Sequence, residues 1–361
     1  MTALTLSLSG LAHNYAILGA QLRPTTRVIA VVKANAYGLG SIPLARKLVR
    51  LGVDYLAVAY ASEGIELRKA GIQCRILVFY PQLENMPSLV EHCLEPALYS
   101  RESWVAFSNI IKQRNIPNYP IHIKFNTGLH RIGFAPTEKE WVMEELSRSP
   151  FTLQSVYSHL AATEETRPHT AMDSQWQQFS EIKAYFDNLS PPPFYHLLNT
   201  SGVFNYPEWQ LDAVRVGIGL YGFANRESWN SQLQPIAQLT ASISQVHTIE
   251  KGHSVGYNNG WIAPTQSRIA TLPLGHADGI SRQFGHGKGT VYINKQAAPI
   301  IGNICMDMLM VDVTKIDCAA GDIAVFFNHK YAITDWAKAG NTITYEFLTG
   351  LGPRIPRYIE F

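Results

Sequence analysis

The segment Val31–Gly40 reads VVKANAYGLG and joins two sequence patterns. It closes the apolar, β-branched run Val28–Val32, which is typical of a short buried strand. One charged residue, Lys33, follows that run directly, and a helix-like stretch, Ser41–Leu51, comes after the glycines. The segment therefore predicts a strand–loop–helix unit with a lysine at the carboxyl end of its strand.

The same unit recurs along the first two-thirds of the chain. Seven further strands are predicted at Asp54–Ala59, Arg75–Phe79, Leu94–Tyr99, Pro120–Lys124, Ser155–His159, Phe194–Asn199 and Asp212–Val216. Helix-like stretches separate them, among them Ser62–Gly71, Arg101–Asn115 and Thr137–Ser147, with Ser62, Ser100 and Thr137 as expected N-caps. Eight strands with intervening helices predict an α/β fold with an N-terminal (β/α)8 TIM-like barrel. A doubly wound open sheet is the alternative that the pattern leaves open.

The pattern changes beyond about Gln234. Apolar runs separated by Gly, Asn, Asp and Pro occur at Ala237–Ile249, Ser267–Pro273, Thr290–Ile293, Met308–Val313 and Ile323–Phe327. They predict a C-terminal mostly-β domain, with one helix around Thr344–Leu351. We place the barrel at residues 1–230 and the β-rich domain at residues 231–361. The first run, Leu4–Leu8, is free to join the C-terminal sheet, and its periodicity does not decide this.

Composition excludes several classes of function. Of the 361 residues, 46% are hydrophobic and 16% charged, which indicates a well-packed globular protein. The net charge of +2 comes without a basic block, so we expect no nucleic-acid partner and no membrane partner. Four widely spaced cysteines and the lack of a signal-peptide pattern indicate a cytoplasmic protein with reduced thiols.

Residues at the predicted strand ends carry the candidate chemistry, because a barrel collects its functional groups there. In chain order they are Lys33, Lys124 with Arg131 beyond it, His159, the run Asn199, Thr200 and Ser201, and Arg215 followed by Gly217, Ile218 and Gly219. No close carboxylate pair, zinc-ligand spacing, P-loop or dinucleotide motif accompanies them, and we expect no metal. A lysine beside phosphate-binding donors suggests imine chemistry or a bound phosphate cofactor.

Each of these residues also has an ordinary structural explanation. A single lysine at a strand end is more often a solvated charge, and a lone histidine there is more often a hydrogen-bonded structural residue. Gly217 and Gly219 are compatible with simple turns. The strand ends alone therefore leave a phosphate-ligand enzyme and a structural role both open.

Nine motifs in order resemble the alanine racemases, a barrel-type family that depends on pyridoxal 5'-phosphate (PLP). They are VVKANAYGLG (Val31–Gly40), KFNTGLHRIGF (Lys124–Phe134), SHLAAT (Ser158–Thr163), HLLNTSG (His196–Gly202), VRVGIGLYG (Val214–Gly222), VGYNNGW (Val255–Trp261), LPLGHADG (Leu272–Gly279), GNICMDM (Gly302–Met308) and TYEFLTGLGPRIPR (Thr344–Arg357). The resemblance covers essentially the whole chain. It implies a head-to-tail homodimer with shared active sites that supplies D-alanine for bacterial peptidoglycan.

The resemblance also assigns roles to individual residues. Lys33 corresponds to the lysine that holds PLP as a Schiff base and acts on the D-enantiomer. Tyr257, contributed by the partner subunit, corresponds to the base that acts on the L-enantiomer. Arg215 would face the pyridine nitrogen and restrain transamination, because a guanidinium does not readily release a proton. His159 would orient Arg215, and Arg131 would contact the cofactor and position the substrate carboxylate.

The remaining matches concern the cofactor phosphate, the substrate and its entry route. The residues expected to bind the cofactor are Tyr37, Asn199, Thr200 or Ser201, Tyr345 and the backbone amides of Gly217 and Ile218. Met306 and Asp307 of the partner are expected to bind the substrate. The substrate is expected to enter past Glu164, His276 and Arg282. Lys124 corresponds to a lysine that is carbamylated in some members and fixes the arginine equivalent to Arg131.

Several positions depart from the family pattern. Leu39 replaces a histidine of Y-G-H-G, Asn126 replaces a common aspartate, Thr200 stands where a serine is usual, and His276 replaces a tyrosine. Asn126 puts carbamylation of Lys124 in doubt, and a bound anion is the alternative. His276 suggests altered substrate breadth or pH response.

Other functions remain as alternatives. Within the family, serine or several amino acids could replace alanine as substrate. Fold-related PLP decarboxylases carry a catalytic cysteine and a Gly-rich phosphate loop that the chain does not show. Non-catalytic PLP-binding proteins have only the barrel, so the β-rich domain that carries Tyr257 argues against that class.

Overall fold

The computed structural model describes residues 1–165 and 169–360. The chain divides into two compact units. The barrel unit comprises Ala12–Ala36 and Ser41–Leu233, and the second unit comprises Met1–Leu11, Tyr37–Gly40 and Gln234–Phe361. Strand β1 (Thr2–Ser7) and helix Leu8–Gly19 open the chain.

Eight parallel strands close the barrel in chain order. They are β2 (Arg27–Val31), β3 (Tyr55–Val58), β4 (Arg75–Val78), β5 (Glu95–Leu98), β6 (Tyr119–Lys124), β7 (Phe151–Tyr157), β8 (Phe194–His196) and β9 (Ala213–Val216). Pairing of β2 with β9, from Arg27 opposite Ala213 to Ala30 opposite Val216, completes the ring. The predicted barrel is confirmed, and the open-sheet alternative is wrong.

Two strands differ from their predicted bounds for a physical reason. The strand predicted at Ser155–His159 begins at Phe151, because the start of β6 supplies hydrogen-bonding partners from Tyr119 onward. The strand predicted at Phe194–Asn199 ends at His196, because the carbonyl of Leu197 accepts from the side chain of Arg215 at 3.0 Å and so departs from the regular backbone pairing with β9.

Helices connect the barrel strands. The α-helices of this unit that follow β2 are Ser41–Arg50, Ala61–Lys69, Met86–Glu91, Arg101–Gln113, Lys139–Arg148, Thr170–Phe186, Thr200–Asn205 and Glu227–Asn230, and the 3-10 turns are Leu83–Asn85, Pro136–Glu138, Pro207–Trp209 and Ile218–Tyr221. Ser100 is an N-cap as predicted, since its hydroxyl accepts from Ser103 N at 3.2 Å.

The other two predicted caps are wrong. Ser62 lies inside helix Ala61–Lys69, and Thr137 lies inside the 3-10 turn Pro136–Glu138. In both places a glutamate accepts the free backbone N–H groups. Glu63 accepts from Ala59 N at 2.7 Å, and Glu138 accepts from Ala135 N at 3.0 Å. The carboxylates of Glu63 and Glu138 thus accept the N–H groups that the predicted caps, Ser62 and Thr137, were expected to accept through their hydroxyls.

The second unit is built on a nine-stranded sheet in the order β11-β14-β17-β16-β15-β18-β10-β1-β19, with β12 and β13 as a separate pair. Its later strands are β10 (Ala237–Ser242), β11 (Gln245–Ile249), β12 (Ser254–Val255), β13 (Trp261–Ile262), β14 (Ser267–Leu272), β15 (Thr290–Ile293), β16 (Gln296–Ile301), β17 (Leu309–Asp312), β18 (Ile323–Phe327) and β19 (Arg357–Glu360). The mostly-β prediction is confirmed. The run predicted as Ala237–Ile249 forms two strands, and β1 pairs with β10 and β19.

Short helices complete the second unit. They are Ile333–Ala339 and Thr344–Thr349, with 3-10 turns at Tyr257–Asn259, His276–Asp278 and Arg282–Phe284. Across the described parts of both units, no helix combines the length and the apolar character that crossing a bilayer requires.

Candidate active site

Lys33 lies two residues after the end of β2 and begins an unusual left-handed turn. Four consecutive non-glycine residues, Ala34 to Tyr37, have φ between 51° and 57°. Each such residue costs roughly 1–2 kcal/mol, so the turn needs support from its surroundings. Ala36 N donates to Val32 O at 2.8 Å, and Ser41 N donates to Asn35 Oδ1 at 2.8 Å. Backbone strain of this kind concentrates at functional sites.

The amine of Lys33 lies among groups that favour its neutral form. Burial lowers the pKa of Lys33, the charges of Arg131 and Arg215 lower it further, and the carboxylate of Glu63 opposes this effect. Only a neutral amine can attack a carbonyl carbon. The electrostatic environment of Lys33 therefore suits a nucleophile.

Lys124, at the end of β6, belongs to the same group of cations. Burial together with the charges of Arg131, Arg215 and Lys33 lowers the pKa of Lys124 to about 7. None of the described carboxylates acts on Lys124 to offset these charges. We call Lys33, Lys124, Arg131 and Arg215 the cation cluster. Its unbalanced positive charge makes it a place where an anion is stabilised.

Arg215, on β9, is held by a fixed set of acceptors. Its Nη1 donates to Nδ1 of His196 at 2.7 Å, and its Nη2 lies 2.9 Å from Nδ1 of His159. Nη2 also donates to the carbonyls of Ser158 and Leu197 at 2.8 and 3.0 Å. Among the described residues, all acceptors of Arg215 contact Nη1 or Nη2, which leaves Nε–H for a ligand.

Both histidines beside Arg215 are suited to accept from it. Burial and the charge of Arg215 hold the pKa of His159 and that of His196 well below their usual value, so both rings are neutral. Arg215 itself stays charged at neutral pH, although burial lowers its pKa to about 10. The geometry of His159 matches its predicted orienting role, which remains a prediction.

The loop after β9 approaches the start of helix Thr200–Asn205. Oγ1 of Thr200 accepts from Gly217 N at 3.2 Å and from Gly219 N at 3.4 Å. A Cβ on Gly219 would lie 2.6 Å from Cγ2 of Thr200, so this approach requires glycine. Asn199 accepts from Gly202 N at 2.9 Å and thus caps the helix. Hydroxyl and amide groups that suit phosphate oxygens are therefore gathered here.

Other predicted site residues lie in the second unit. The rings of Tyr37 and Tyr345 are 5.8 Å apart between centroids. Side chains exposed at the surface of this unit include Tyr257, at 70% exposure, and Met306, at 58%. Asp307 accepts from Arg354 at 2.8 Å.

A small network joins the remaining residues of this surface. Arg282 donates to Asn303 Oδ1 at 2.9 Å, and Asn303 Nδ2 donates to the carbonyl of Tyr257 at 2.9 Å. His276 is exposed, and its backbone N–H donates to Cys305 O at 3.0 Å. In the barrel unit, the backbone carbonyl of Glu164 accepts from Asn225 Nδ2 at 2.9 Å.

Two family descriptions together match most of the sequence. The description "Alanine racemase, N-terminal domain" matches residues 6–225, and "Alanine racemase, C-terminal domain" matches residues 236–359. The chain belongs to the alanine racemase family. The predicted family is thus confirmed.

Individual alanine racemases resemble the chain over nearly its whole length. The enzyme named alanine racemase from Nostoc sp. is 35% identical over 98% of this chain and 94% of that protein. Alanine racemase 1 from Clostridium acetobutylicum is 34% identical over 92% of this chain and 89% of that protein. The structure of alanine racemase from Clostridium difficile 630 superposes with a TM-score of 0.94 at 28% identity, covering 99% of this chain and 95% of that one. Alanine racemase from Bartonella henselae, solved with covalently bound pyridoxal phosphate, has a TM-score of 0.89 at 28% identity, covering 99% of each chain.

Within this alanine racemase fold, the structure shows site residues that sequence reasoning missed. Glu63 accepts from Ala34 N at 2.5 Å, beside Lys33. His196 opens the HLLNTSG motif, which assigns it no role in the site, and it contacts Arg215 Nη1 at 2.7 Å. Asn126, one of the departures from the family pattern, bonds within its own loop, accepting from His130 N at 2.9 Å. The sequence offers no local pattern that would have indicated the role of Glu63.

Proposed function

We propose that the protein is a PLP-dependent alanine racemase that interconverts L-alanine and D-alanine. The observation that carries this proposal is the position of Lys33 at the end of a barrel strand, where burial and neighbouring cations lower the pKa of its amine. The D-alanine would serve peptidoglycan synthesis in the cytoplasm. The four cysteines are free thiols, as suits a reducing compartment.

The barrel unit fits the chemical groups of PLP. Lys33 supplies a nucleophilic amine for the aldehyde. The hydroxyl of Thr200 accepts from the backbone N–H of Gly217, and both groups, with the backbone N–H of Ile218, would serve as phosphate ligands; the Nε–H of Arg215 would donate to the pyridine nitrogen. Asn199, Ser201, Tyr37 and Tyr345 complete the proposed cofactor set on the strength of the resemblance.

Racemisation requires a proton to leave one face of the alanine Cα and another to arrive on the opposite face. When bound, PLP supplies the electron sink that makes this proton acidic. The amine of Lys33 takes or returns the proton on one face, since burial and the neighbouring cations lower its pKa and favour its neutral form. The phenol of Tyr257 does so on the other face, with Lys33 acting on D-alanine and Tyr257 on L-alanine.

Arg215 would influence the reaction because its guanidinium does not release a proton to the cofactor. A guanidinium donates hydrogen bonds but does not give up a proton at neutral pH. Its Nε–H would therefore donate to the pyridine nitrogen of bound PLP without protonating it. His159 holds Arg215 through the contact at 2.9 Å, and Arg131 positions the substrate carboxylate.

The second proton carrier would come from a second copy of the chain in a homodimer. Tyr257, Met306, Met308 and Ile262 are all large hydrophobic side chains exposed on the second unit, at 70%, 58%, 47% and 59%. Exposed apolar surface of this kind marks interaction sites. Met306 and Asp307 of the second copy would flank the carboxylate, and Glu164, His276 and Arg282 would line the entry route.

A deuterium-exchange assay tests the proposed function. Purified holoenzyme and L-alanine in heavy water should give D-alanine with deuterium at Cα, and Lys33→Ala should abolish both. Release of carbon dioxide would indicate a decarboxylase, and absence of exchange with any small amino acid would indicate a non-catalytic PLP-binding protein. Faster exchange with serine than with alanine would favour the broad-specificity alternative. Each of these three results contradicts the proposal.

A further inference from the structure

A continuous polar network runs around the inside of the barrel. Seven consecutive strands, β3 to β9, each contribute one member, namely Tyr55, Arg75, Glu95, His122, Ser155, His196 and Arg215. Barrel interiors are normally filled with layers of branched apolar side chains. Glu95, His122, Ser155, His196 and Arg215 are all at most 5% exposed. Buried polar groups at this density need a reason beyond packing.

Four hydrogen bonds link the buried members in order. Glu95 Oε2 lies 3.0 Å from His122 Nε2, and His122 Nδ1 lies 2.6 Å from Ser155 Oγ. Ser155 Oγ lies 2.9 Å from His196 Nε2, and His196 Nδ1 lies 2.7 Å from Arg215 Nη1. We call these five residues the relay. It connects a carboxylate on β5 with the guanidinium on β9.

The two ends of the relay determine where every proton lies. Arg215 can only donate, so His196 Nδ1 must accept, and the proton of a neutral His196 must be on Nε2. Glu95 as a carboxylate can only accept, so the proton of His122 must also be on Nε2. Ser155 then accepts from His196 and donates to His122. This is the one arrangement that satisfies all four bonds with neutral histidines.

The charges of the relay support this arrangement. Hydrogen bonds from His122 and Arg75 and the charge of Arg75 lower the pKa of Glu95 despite its burial, so it is a carboxylate. Burial lowers the pKa of His122, so its ring is neutral. Arg75 closes the outer end of the relay, with Nε 2.6 Å from Glu95 Oε1. Tyr55 also donates to Glu95, at 3.2 Å.

We propose that Glu95, His122 and Ser155 are positioning residues that hold the proton of His196 on Nε2, so that Nδ1 is always available to accept from Arg215. The relay thereby fixes the orientation of the guanidinium, with its Nε–H free for the cofactor nitrogen. The relevance to the cofactor rests on the proposed function. The proton positions within the relay do not, and they can be measured separately.

Glu95→Gln is the sharpest test because it changes one atom at the far end of the relay. Arg75 donates to both oxygens of Glu95, through Nε to Oε1 at 2.6 Å and through Nη2 to Oε2 at 3.1 Å. Whenever the amide oxygen of the glutamine keeps the shorter of these bonds, its amide nitrogen faces His122. A donor facing His122 Nε2 requires that nitrogen to accept. The His122 proton would move to Nδ1, the Ser155 hydroxyl would turn, and the His196 proton would move to Nδ1, opposite the donor of Arg215.

The test is solid-state nitrogen NMR of the full-length holoenzyme labelled with ¹⁵N-histidine. In the wild-type protein we expect both His122 and His196 as the Nε2–H form, assigned from variants that lack each ring. In Glu95→Gln we expect the His196 signal to shift to a mixture of both forms. In Ser155→Ala we expect the His196 Nε2–H signal to shift, because that N–H loses the acceptor that holds it. Ser155→Thr, which keeps the hydroxyl, should restore the wild-type signal. Ser108→Ala removes a buried hydroxyl from the helix after β5 and serves as the control.

Kinetics supply the second readout. Misplacement of Arg215 should lower kcat for alanine racemisation by about tenfold in Glu95→Gln, with little change in KM, as expected for a residue that orients another. An unchanged His196 signal in both relay variants would overturn the proposal. If Glu95→Gln does not fold, Ser155→Ala decides alone. If the wild-type NMR shows the expected forms but the protein does not racemise alanine, the proposed function fails while the relay stands.

Discussion

The backbone N–H of Ala34 donates to Oε1 of Glu63 at 2.5 Å, one residue beyond Lys33. The other oxygen of Glu63 accepts from Ala59 N and Tyr60 N at 2.7 and 3.2 Å. One carboxylate thus anchors the strained left-handed turn to the end of the next strand. The same charge acts on the Lys33 amine and raises its pKa against the effect of burial. Glu63 therefore affects both the shape and the charge of the site.

Replacing Glu63 with glutamine should alter both the shape and the charge of the site, and each effect has its own measurement. Loss of charge-assisted hydrogen bonds should lower the free energy of unfolding by about 1–2 kcal/mol. Loss of the negative charge should lower the pKa of Lys33 further, because the group that raises it is gone. Capture of PLP by the apoenzyme requires the neutral amine, so its pH midpoint should move to lower pH. Rapid-mixing absorbance measurements at a series of pH values would follow it.

Glu66→Gln, on the exposed side of the same helix, is the control for this prediction. It removes an equal charge without touching the turn, and both its stability and its capture profile should match the wild-type protein. A capture midpoint in Glu63→Gln that stays in place or moves to higher pH would contradict the electrostatic role of Glu63.

Lys124 should carry or bind an anion. Carbon dioxide adds only to a neutral amine, and the pKa of Lys124, lowered to about 7, makes the neutral form abundant above that pH. With ¹³C-bicarbonate we expect a carbamate NMR signal that grows as pH rises through about 7 and is missing in Lys124→Met. Lys112→Met, an exposed lysine, is the control and should keep it. If the signal is missing from the wild-type protein too, dependence of the cofactor spectrum on chloride would show that the cluster binds a free anion instead. If neither the carbamate signal nor the chloride dependence is observed, the cation cluster is not an anion site.

Thr200, and not Ser201, is expected to bind the cofactor phosphate. The hydroxyl of Thr200 lies within reach of the amides of Gly217 and Gly219, whereas no described contact places Ser201 there. Thr200→Val should weaken PLP binding by about tenfold, since one hydrogen bond to a charged group is lost. Ser201→Ala should stay within about twofold of wild type, and Thr200→Ser should recover the affinity. Fluorescence titration of the apoenzyme measures all three, and a larger loss in Ser201→Ala would reverse the assignment.

The sequence predicted the barrel because alternation of short apolar runs with helical stretches is a local pattern that eight units repeat. The strand-end rule placed Lys33, Lys124, His159 and Arg215 at one end of one barrel for the same reason. The C-terminal sheet was predicted only as β-rich. Its order joins β1 to β10 and β19 across more than two hundred positions of sequence, and no local periodicity encodes such a pairing.

The residues that hydrogen-bond to the site could not be predicted from the sequence. Glu63 lies in a helix as an ordinary surface residue would, and only the left-handed turn at Ala34 gives it a function. Glu95 and His122 are polar residues next to apolar residues of their strands, which suggests imperfect patterning. Their role follows only from the closed barrel, where the side chains of successive strands come within hydrogen-bonding distance.

Tyr257 from a second copy should complete the site of Lys33, and mixed dimers test this directly. Lys33→Ala and Tyr257→Phe should each be inactive as homodimers, because each lacks one proton carrier in both sites. A mixed dimer isolated with two different affinity tags has one site with both residues intact and one with neither. It should racemise alanine at about half the wild-type rate. Wild-type dimers carrying the same two tags give the reference rate. If both residues act within one chain, every site of the mixed dimer lacks one of them, so an inactive mixed dimer would show that Tyr257 does not come from the partner.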